Sequence, residues 1–408
     1  MADAAMSRRR CWSGIAALPE DVLCQVLSRV GNVKDLFRFA VTDRWWLRRF
    51  TDPDFLRGLW PGQGEGHRAG LLGFFLQMAG FAGCHGTMFQ TKTKQHGSAV
   101  APTFLPAPGS PLGPTGRALT SFVADDDGTF NYAEPLAARR GIVLMQLVPR
   151  TVERIYAIIT AADIVLDGGK QTPSSSLGRF SLSQLLLTTE RAGKLHLHSY
   201  SAATRSWSAP TICLDNHFSL VGERSALVHQ GAAHWLCIGV GRDHDMVNEL
   251  CKLSVKVGTV LVSLKKLPVR GGGKPLLCFT GDGRLAVVSV YPLHLTAWTT
   301  QPAGYGGDDT LAAWPCTAFK IPATVPRARS HLDEQWFGFN RGSMLAYMRG
   351  AVFILDLEKK VMEKVMDRLP RPFGGDQTSP SPVAYEMDLV EFFVLQLDGL
   401  CRGPKINH

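Results

Sequence analysis

The chain has 408 residues and a formal net charge of +9, with 45% hydrophobic and 19% charged residues. That length allows about two or three domains, and the composition is that of a folded soluble protein, which excludes a largely disordered chain. The longest apolar runs, 69–75 and 141–147, are far shorter than the roughly twenty residues needed to cross a bilayer, so a transmembrane helix is excluded as well.

The excess of Lys and Arg is spread along the chain rather than gathered with aromatics into one stripe, which argues against nucleic acid as the partner. Residues 1–14 contain Arg8, Arg9 and Arg10 with no apolar h-region behind them, so they read as a solvated, disordered tail and not as a secretory signal. Nine cysteines are scattered without C-x-x-C spacing, and Asn-x-Ser/Thr occurs nowhere. Reduced thiols in a reducing compartment, cytoplasmic and/or nuclear, are expected.

Residues 15–60 form the first expected domain, and it is helical. Leu18-Pro19 followed by Glu20-Asp21 puts Pro at a helix start, where its missing N–H costs nothing, and acids where the positive end of the helix dipole favours them. Val22, Leu23, Val26, Leu27 and Val30 recur at helical period as one apolar face, with Gln25, Ser28 and Arg29 on the other. Gly31 stops this helix, and Asn32 is a good N-cap for a second over 33–42. A third, basic and aromatic, runs from Asp43 to about Phe50, and Asp52-Pro53 ends it. Three short helices within about forty residues bury only a small core of their own, which argues for a partner.

This stretch resembles an F-box. The matching residues are Leu18-Pro19, the pairs Val22-Leu23 and Val26-Leu27, Ser28-Arg29, Lys34-Asp35-Leu36, Arg38-Phe39, and Trp46 at the closing tryptophan. Gly31-Asn32 stands where a proline is common, and Thr42-Asp43 where Val-Cys usually precedes the tryptophan, so a weaker adaptor contact than usual is expected. The resemblance implies a Skp-family adaptor as partner and, through it, a cullin. Leu18, Pro19, Val22, Leu23, Val26, Leu27, Leu36 and Trp46 would supply the adaptor contact or the packing behind it. Arg29, Arg38 and Arg44 would meet acidic groups on that partner or form a solvated face. An ordinary amphipathic hairpin is the alternative, and it leaves the ordered set of matches unexplained.

Residues 61–118 read as a Gly- and Pro-rich connection. The apolar segment 69–78 anchors it to the next domain, and Pro102, Pro106, Pro108, Pro111 and Pro114 keep the rest irregular.

From 119 to 400 the periodicity is that of strands, with a short tail at 401–408. Asp125-Asp126-Asp127-Gly128 is a strong turn signal. Expected pairs are 225–228 with 233–238, 249–255 with 259–264, 276–280 with 284–290 across Gly281-Asp282-Gly283, and 342–348 with 351–357. Three units share a frame that starts at Gly193, Gly283 and Gly342, the first two ending at Trp207 and Trp298. Their separation of about ninety residues is twice the roughly 40 to 50 of a propeller blade, while the next interval is less regular, and the roughly 280 to 300 strand-rich residues would make a β-propeller of six or seven blades. The fold class expected is therefore mainly β with a small α N-terminal domain, a three-helix F-box followed by a propeller. A β-sandwich or double sheet fits the same strand spacing and is the alternative.

ARRGIVLMQL at 138–147 and VHQGAAHWL at 228–236 resemble strand motifs of the propeller-like F-box-associated domains that are especially abundant in plants. The resemblance implies a subunit of an SCF-type ubiquitin ligase whose β domain recruits an unknown protein substrate. No catalytic set competes with it. His196-Leu197-His198 puts two imidazoles on one strand face, but a metal would need His229, His234 or Asp245 as well, and such pairs are more often ordinary strand residues. Gly271-Gly272-Gly273-Lys274 lacks the first glycine and the Ser/Thr of a P-loop, and neither G-x-S-x-G nor H-E-x-x-H is present. The reading is a non-catalytic adaptor without cofactor or metal, with a propeller scaffold or a nucleic-acid binder as the alternative.

Overall fold

A computed structural model of the chain describes residues 18–30, 33–60, 70–76, 102–108, 110, 133–146, 154–161, 163, 182–191, 194–214, 218–222, 225–229, 231–239, 249–256, 261–270, 273–300, 314–322, 334–339, 342–367 and 382–401. The tail 1–14, Gly31-Asn32, most of the connection 61–118, the turn at Asp125 to Gly128, Gly193, Asp245 and Gly271-Gly272 lie outside the described residues.

Helix α1 (Glu20–Ser28) begins directly after Pro19 with Glu20 and Asp21 in its first turn, and it turns Leu23, Cys24 and Leu27 inward. Helix α2 spans Val33–Ala40. The Asp43 carboxylate accepts from the Trp45 amide and so caps α3 (Arg44–Phe50), which buries Trp46 and Phe50. The sequence reading needs correction at Asp52-Pro53, which opens a helix instead of closing one. Asp52 caps the Asp54 amide, Pro53 occupies the first helical position, and α4 (Pro53–Leu59) follows. An Asp-Pro pair is an N-cap followed by a preset first residue, so it ends one helix only by starting the next.

A second correction concerns the C-terminus, expected to be β-rich up to residue 400. Residues Leu389–Cys401 form a helix, α5, with the Asp388 carboxylate accepting from the Glu391 amide at 2.9 Å. Leu389, Val390, Phe393 and Leu397 are buried at helical spacing against α1 to α4. Phe393 is the hub of this contact, its ring centroid 5.6 Å from Phe37, 5.8 Å from Phe50 and 5.1 Å from Trp60. The small helical core thus takes its missing half from the far end of its own chain. Burying a side chain such as Phe393 contributes about 1.5–3 kcal/mol, a large share for so small a unit.

The remainder is a five-bladed propeller. Blade one combines the sheet β2–β1–β23 with a hairpin, where β1 is Leu71–Leu76, β2 Thr103–Pro106 and β23 Val383–Glu386. The hairpin is β3 (Glu134–Arg139) with β4 (Ile142–Gln146), and its turn is tied to β23 by Gly141 N–H donating to the Glu386 carbonyl at 3.2 Å. Blade two holds β5 (Arg154–Thr160), β6 (Leu182–Arg191), β7 (Lys194–Ser201) and β8 (Ser206–Trp207) in that order, with β9 (Thr211–Leu214) also on β7. Blade three runs β10 (Phe218–Val221), β12 (Ala232–Gly239), β13 (Glu249–Lys256) and β14 (Leu261–Arg270), with β11 (Leu227–His229) also on β12. Blade four is β15 (Lys274–Phe279), β16 (Leu285–Val290), β17 (His294–Thr299) and β18 (Cys316–Lys320). Blade five is β19 (Glu334–Phe339), β20 (Ser343–Met348), β21 (Ala351–Asp356) and β22 (Val361–Met366).

The pairs expected at 225–238, 249–264, 276–290 and 342–357 are all antiparallel hairpins. The count of five corrects the expected six or seven. Blade two runs from Arg154 to Leu214, well beyond the roughly 40 to 50 residues assumed per blade, and blade one draws β23 from the opposite end of the chain. The shared frame holds for Gly283 and Gly342, which precede the second strand of their blades, whereas β7 is the third strand of blade two.

The blades are welded face to face. Leu71 and Phe74 of blade one pack with Leu345 and Ile354 of blade five, and Leu276 and Val288 of blade four with Met344 and Phe353. Leu236 packs with Leu277 and Val287 across blades three and four, and Ile155, Leu186 and Leu197 with Trp235 and Leu253 across blades two and three. Strands β16, β20 and β21 are buried along their whole length. The helical unit is not separate from this ring, because Leu72, Phe75, Phe104 and Tyr385 of blade one belong to the same core as α1 to α5.

Candidate functional site

Helix α1 has two apolar faces. Leu23 and Leu27 are buried, as are Leu36 on α2 and Trp46 on α3. Leu18 and Val26 are 39% and 44% exposed, Val22 is partly exposed, and Pro19 and Arg29 are exposed. Val22, Val26 and Arg29 follow at four- and three-residue steps, which puts them on one stripe of the helix, with Leu18-Pro19 leading into it. The single apolar face read from sequence is therefore an inner face plus an outer stripe, wider than the core behind it requires. Of the ten residues named for adaptor contact, Leu18, Pro19, Val22, Val26, Arg29 and Arg38 are at the surface and Leu23, Leu27, Leu36 and Trp46 lie behind it.

The charges around this stripe are solvated. Arg38 pairs with Asp35 at 3.3 Å, both side chains more than half exposed, and Arg44 is exposed. Glu20 of α1 receives a 2.5 Å hydrogen bond from Arg49 of α3, so the start of α1 is pinned to the helix that carries Trp46.

His229 and His234 neighbour each other at the hub, but the histidines form no larger group among the described residues. His196 and His198 lie on the face of β7 opposite buried Leu195 and Leu197, and His198 Nε2 pairs with Thr189 Oγ1 at 3.0 Å. His234 Nδ1 pairs with Ser254 Oγ at 2.8 Å, and burial, aided by Lys252 and His229, pushes its pKa down to about 3, so its ring is neutral. Among the described residues no group of three or more His, Cys, Asp or Glu is placed to hold a metal.

A second site lies at the hub of the ring. A cavity of about 320 Å³ is lined from all five blades, by Arg139 and Glu386 of blade one, Asp163 beyond β5, Trp235 of blade three, Phe279 of blade four and Gly338 of blade five. Arg139 grips Asp163 through two hydrogen bonds, 2.5 and 2.8 Å, and its fork also reaches the Ile158 carbonyl at 3.3 Å. Thr160 donates both its amide, at 2.8 Å, and its hydroxyl, at 2.9 Å, to the same carboxylate. Burial alone would raise the Asp163 pKa, but the Arg139 hydrogen bond and the charges of Arg139 and Arg140 outweigh it and hold the carboxyl below its usual range.

Arg140 is the looser partner. Its guanidinium stands 3.7 Å from Asp163 Oδ1 and 3.4 Å from Thr160 Oγ1, and burial lowers its pKa. It reaches the hub from a tight turn, Arg140-Gly141, in which both residues have positive φ, 47° and 80°. Glu386 faces the same cavity; its pKa is raised by burial against the pull of Arg139 and Arg140, and its buried Oε2 has no hydrogen-bond partner among the described residues. The sequence reading passed over this cluster, quoting Arg139-Arg140 only within a strand motif. The available signal was Asp163, an acid inside the apolar run 155–166, since a carboxylate buried there requires a cation.

No protein-family model matches the chain. No curated protein matches it either. Among solved structures it is similar to a streptogramin B lyase, at 8% identity over 46% of this chain and 66% of the lyase, with a TM-score of 0.27. It is similar also to the WD40 domain of SCAP from fission yeast, at 12% identity over 57% of this chain and 48% of that one, TM-score 0.26. A functionally unknown protein from Desulfotomaculum acetoxidans DSM 771 aligns at 9% identity over 60% of this chain and 79% of its own, TM-score 0.30. The chain spans just under two thirds of the lyase and about half of the SCAP domain. Likenesses at these scores carry no argument about activity, and the propeller architecture rests on the strand pairing itself.

Proposed function

We propose that the chain is a non-catalytic, substrate-recruiting subunit of an SCF-type ubiquitin ligase, with α1 meeting a Skp-family adaptor and the propeller holding a protein substrate. The observation that carries this reading is the outer stripe of α1. Leu18, Pro19, Val22, Val26 and Arg29 face outward from a helical unit whose core is already completed by α5. An apolar stripe left outside a filled core is available to another molecule. The resemblance of Leu18-Pro19 through Trp46 to an F-box is what favours a Skp-family adaptor as that molecule.

The mechanism is proximity. Holding a substrate beside a charged ubiquitin-conjugating enzyme raises the effective concentration of the acceptor lysine, and the chemistry belongs to other subunits, in the cytoplasm or the nucleus. The shared core of helices and blade one supports such a role, because a rigid joint keeps the adaptor-facing and substrate-facing surfaces at a fixed separation. A pulldown of the full chain with a Skp adaptor tests the reading. Wild type is expected to bind and the double variant Leu18→Ala, Pro19→Ala to lose most of that binding. A wild type that fails to bind, or a double variant that binds equally well, overturns it.

A further inference from the structure

We propose that the hub cavity binds a small ligand or a side chain that bears one carboxylate, with the anion held by Arg140 and an apolar body lying against Trp235 and Phe279. This goes beyond the adaptor reading and does not rest on it.

The argument begins with an imbalance of partners. Two guanidiniums share one carboxylate, and Arg139 takes both oxygens of Asp163 at hydrogen-bond distance. Thr160 fills the remaining positions on Oδ2. Arg140 is left with contacts of 3.4 and 3.7 Å, at and beyond the limit of a hydrogen bond, although a guanidinium carries five N–H donors. With a third of its side chain exposed and N–H donors to spare, Arg140 would gain a charge-assisted hydrogen bond from an oxyanion entering the cavity.

Glu386 helps to fix what kind of anion. Its Oε2 is buried and without a hydrogen-bond partner among the described residues, beside the same arginines. Arg139 and Arg140 are the only Lys or Arg side chains among the described lining residues, and Asp163 and Glu386 already stand beside them, so a dianion such as phosphate would bring a second charge that no further cation offsets. Trp235, Leu236, Leu277 and Phe279 add apolar surface beside polar Ser225, His229 and His234, and about 320 Å³ lies at the small end of ligand pockets. These features fit a monocarboxylate of modest size, either free or as the acidic side chain of a peptide.

The two sources are separated by two probes, phenylacetate for a free acid and N-acetyl-glutamate α-amide for a side chain, titrated into the full chain by calorimetry. At least one is expected to bind, and the tighter of the two identifies the source. Methyl phenylacetate and N-acetyl-glutamine amide, the neutral counterparts, are expected to bind at least about tenfold more weakly, as loss of a charge-assisted hydrogen bond implies. Arg140→Gln is expected to weaken the acid by about the same factor with an unchanged Tm, and Arg140→Lys to restore part of it. Binding of neither acid up to about 10 mM, the weak end for ligands of this size, overturns the proposal. So does equal binding of acid and neutral counterpart, or of wild type and Arg140→Gln. The comparison of acid with neutral counterpart uses wild type alone, so it decides the matter even if both Arg140 variants fail to fold.

Discussion

The helical unit and the propeller hub solve opposite problems. The helices put aromatics inside, with Trp46, Phe50, Phe55 and Phe393 fully buried, and leave an apolar stripe and dispersed charges outside. The hub puts charge inside, with Asp163 at 5% side-chain exposure and Arg139 at 18%, and welds apolar faces around it. One region is stabilised by what it buries and offers its outside; the other is stabilised by its walls and offers its inside. The difference teaches where each can be damaged. The helical unit fails when its core is opened, and the hub fails when one charge is left without its partner.

The largest effect is expected from removing α5. Truncation after Asp388 deletes Leu389, Val390, Phe393 and Leu397 from the shared core, and hydrogen exchange is expected to show α1 to α4 unprotected while blades three to five stay protected. Phe393→Ala is the milder form, at about 3–5 kcal/mol in denaturant unfolding. If α1 to α4 remain protected in the truncated chain, the helical unit is autonomous and the comparison breaks.

At the hub, Arg139→Met leaves the Asp163 charge buried with only loosely placed Arg140, and a loss of about 3–5 kcal/mol is expected. The double variant Arg139→Met, Asp163→Leu is expected to recover much of it, because neither buried charge of that pair then remains. Recovery by the double variant would show that the hub's cost lies in the unpaired charge rather than in lost packing.

Acidification weakens the hub on two counts. The Asp163 pKa is depressed by folding, so its contribution is full above the unfolded value of about 3.9 and is lost as pH falls through the folded value. His234 is held neutral with a pKa of about 3, so its contribution is full above an unfolded value near ~6.5 and declines as pH drops toward 3. Thermal unfolding between pH 7 and 4 is therefore expected to show a fall that His234→Gln reduces.

Val26→Asp is expected to change stability by less than about 0.5 kcal/mol, since it lies on the exposed stripe, while adaptor binding falls at least about tenfold. Leu27→Asp, one residue on, lies inward and should unfold the helices instead. Smallest of all, Glu20→Gln breaks a pair that is 53% and 35% exposed, for an expected ~0–1 kcal/mol that high salt abolishes.

Much of the helical unit was legible because its signals are local. Pro19 with Glu20 and Asp21, the 3.6-residue spacing of Leu23 and Leu27, and the Asp43 cap all act within one turn of chain. The sequence leaves open which of Leu18, Val22, Leu23, Val26 and Leu27 face a partner and which pack behind, since period alone does not say how much of an apolar face a small bundle can cover. Helix α5 was missed for another reason. With Leu389, Val390, Phe392, Phe393, Val394 and Leu397 it is apolar on nearly every side, so at the end of a strand-rich chain its period was masked.

By itself the sequence determined the class of the chain, helices first and strands after, because binary pattern and turn residues such as Arg349-Gly350 and Gly281-Asp282-Gly283 are read by the backbone next to them. Only the tertiary structure decided that the ring closes at five blades through β23, that α5 completes the helical core, and that Arg139, Arg140, Asp163 and Glu386 meet at one cavity. Each of those facts joins residues far apart in the chain, from Arg139 to Glu386 or Phe37 to Phe393, and no local propensity encodes a contact whose partner lies hundreds of residues away.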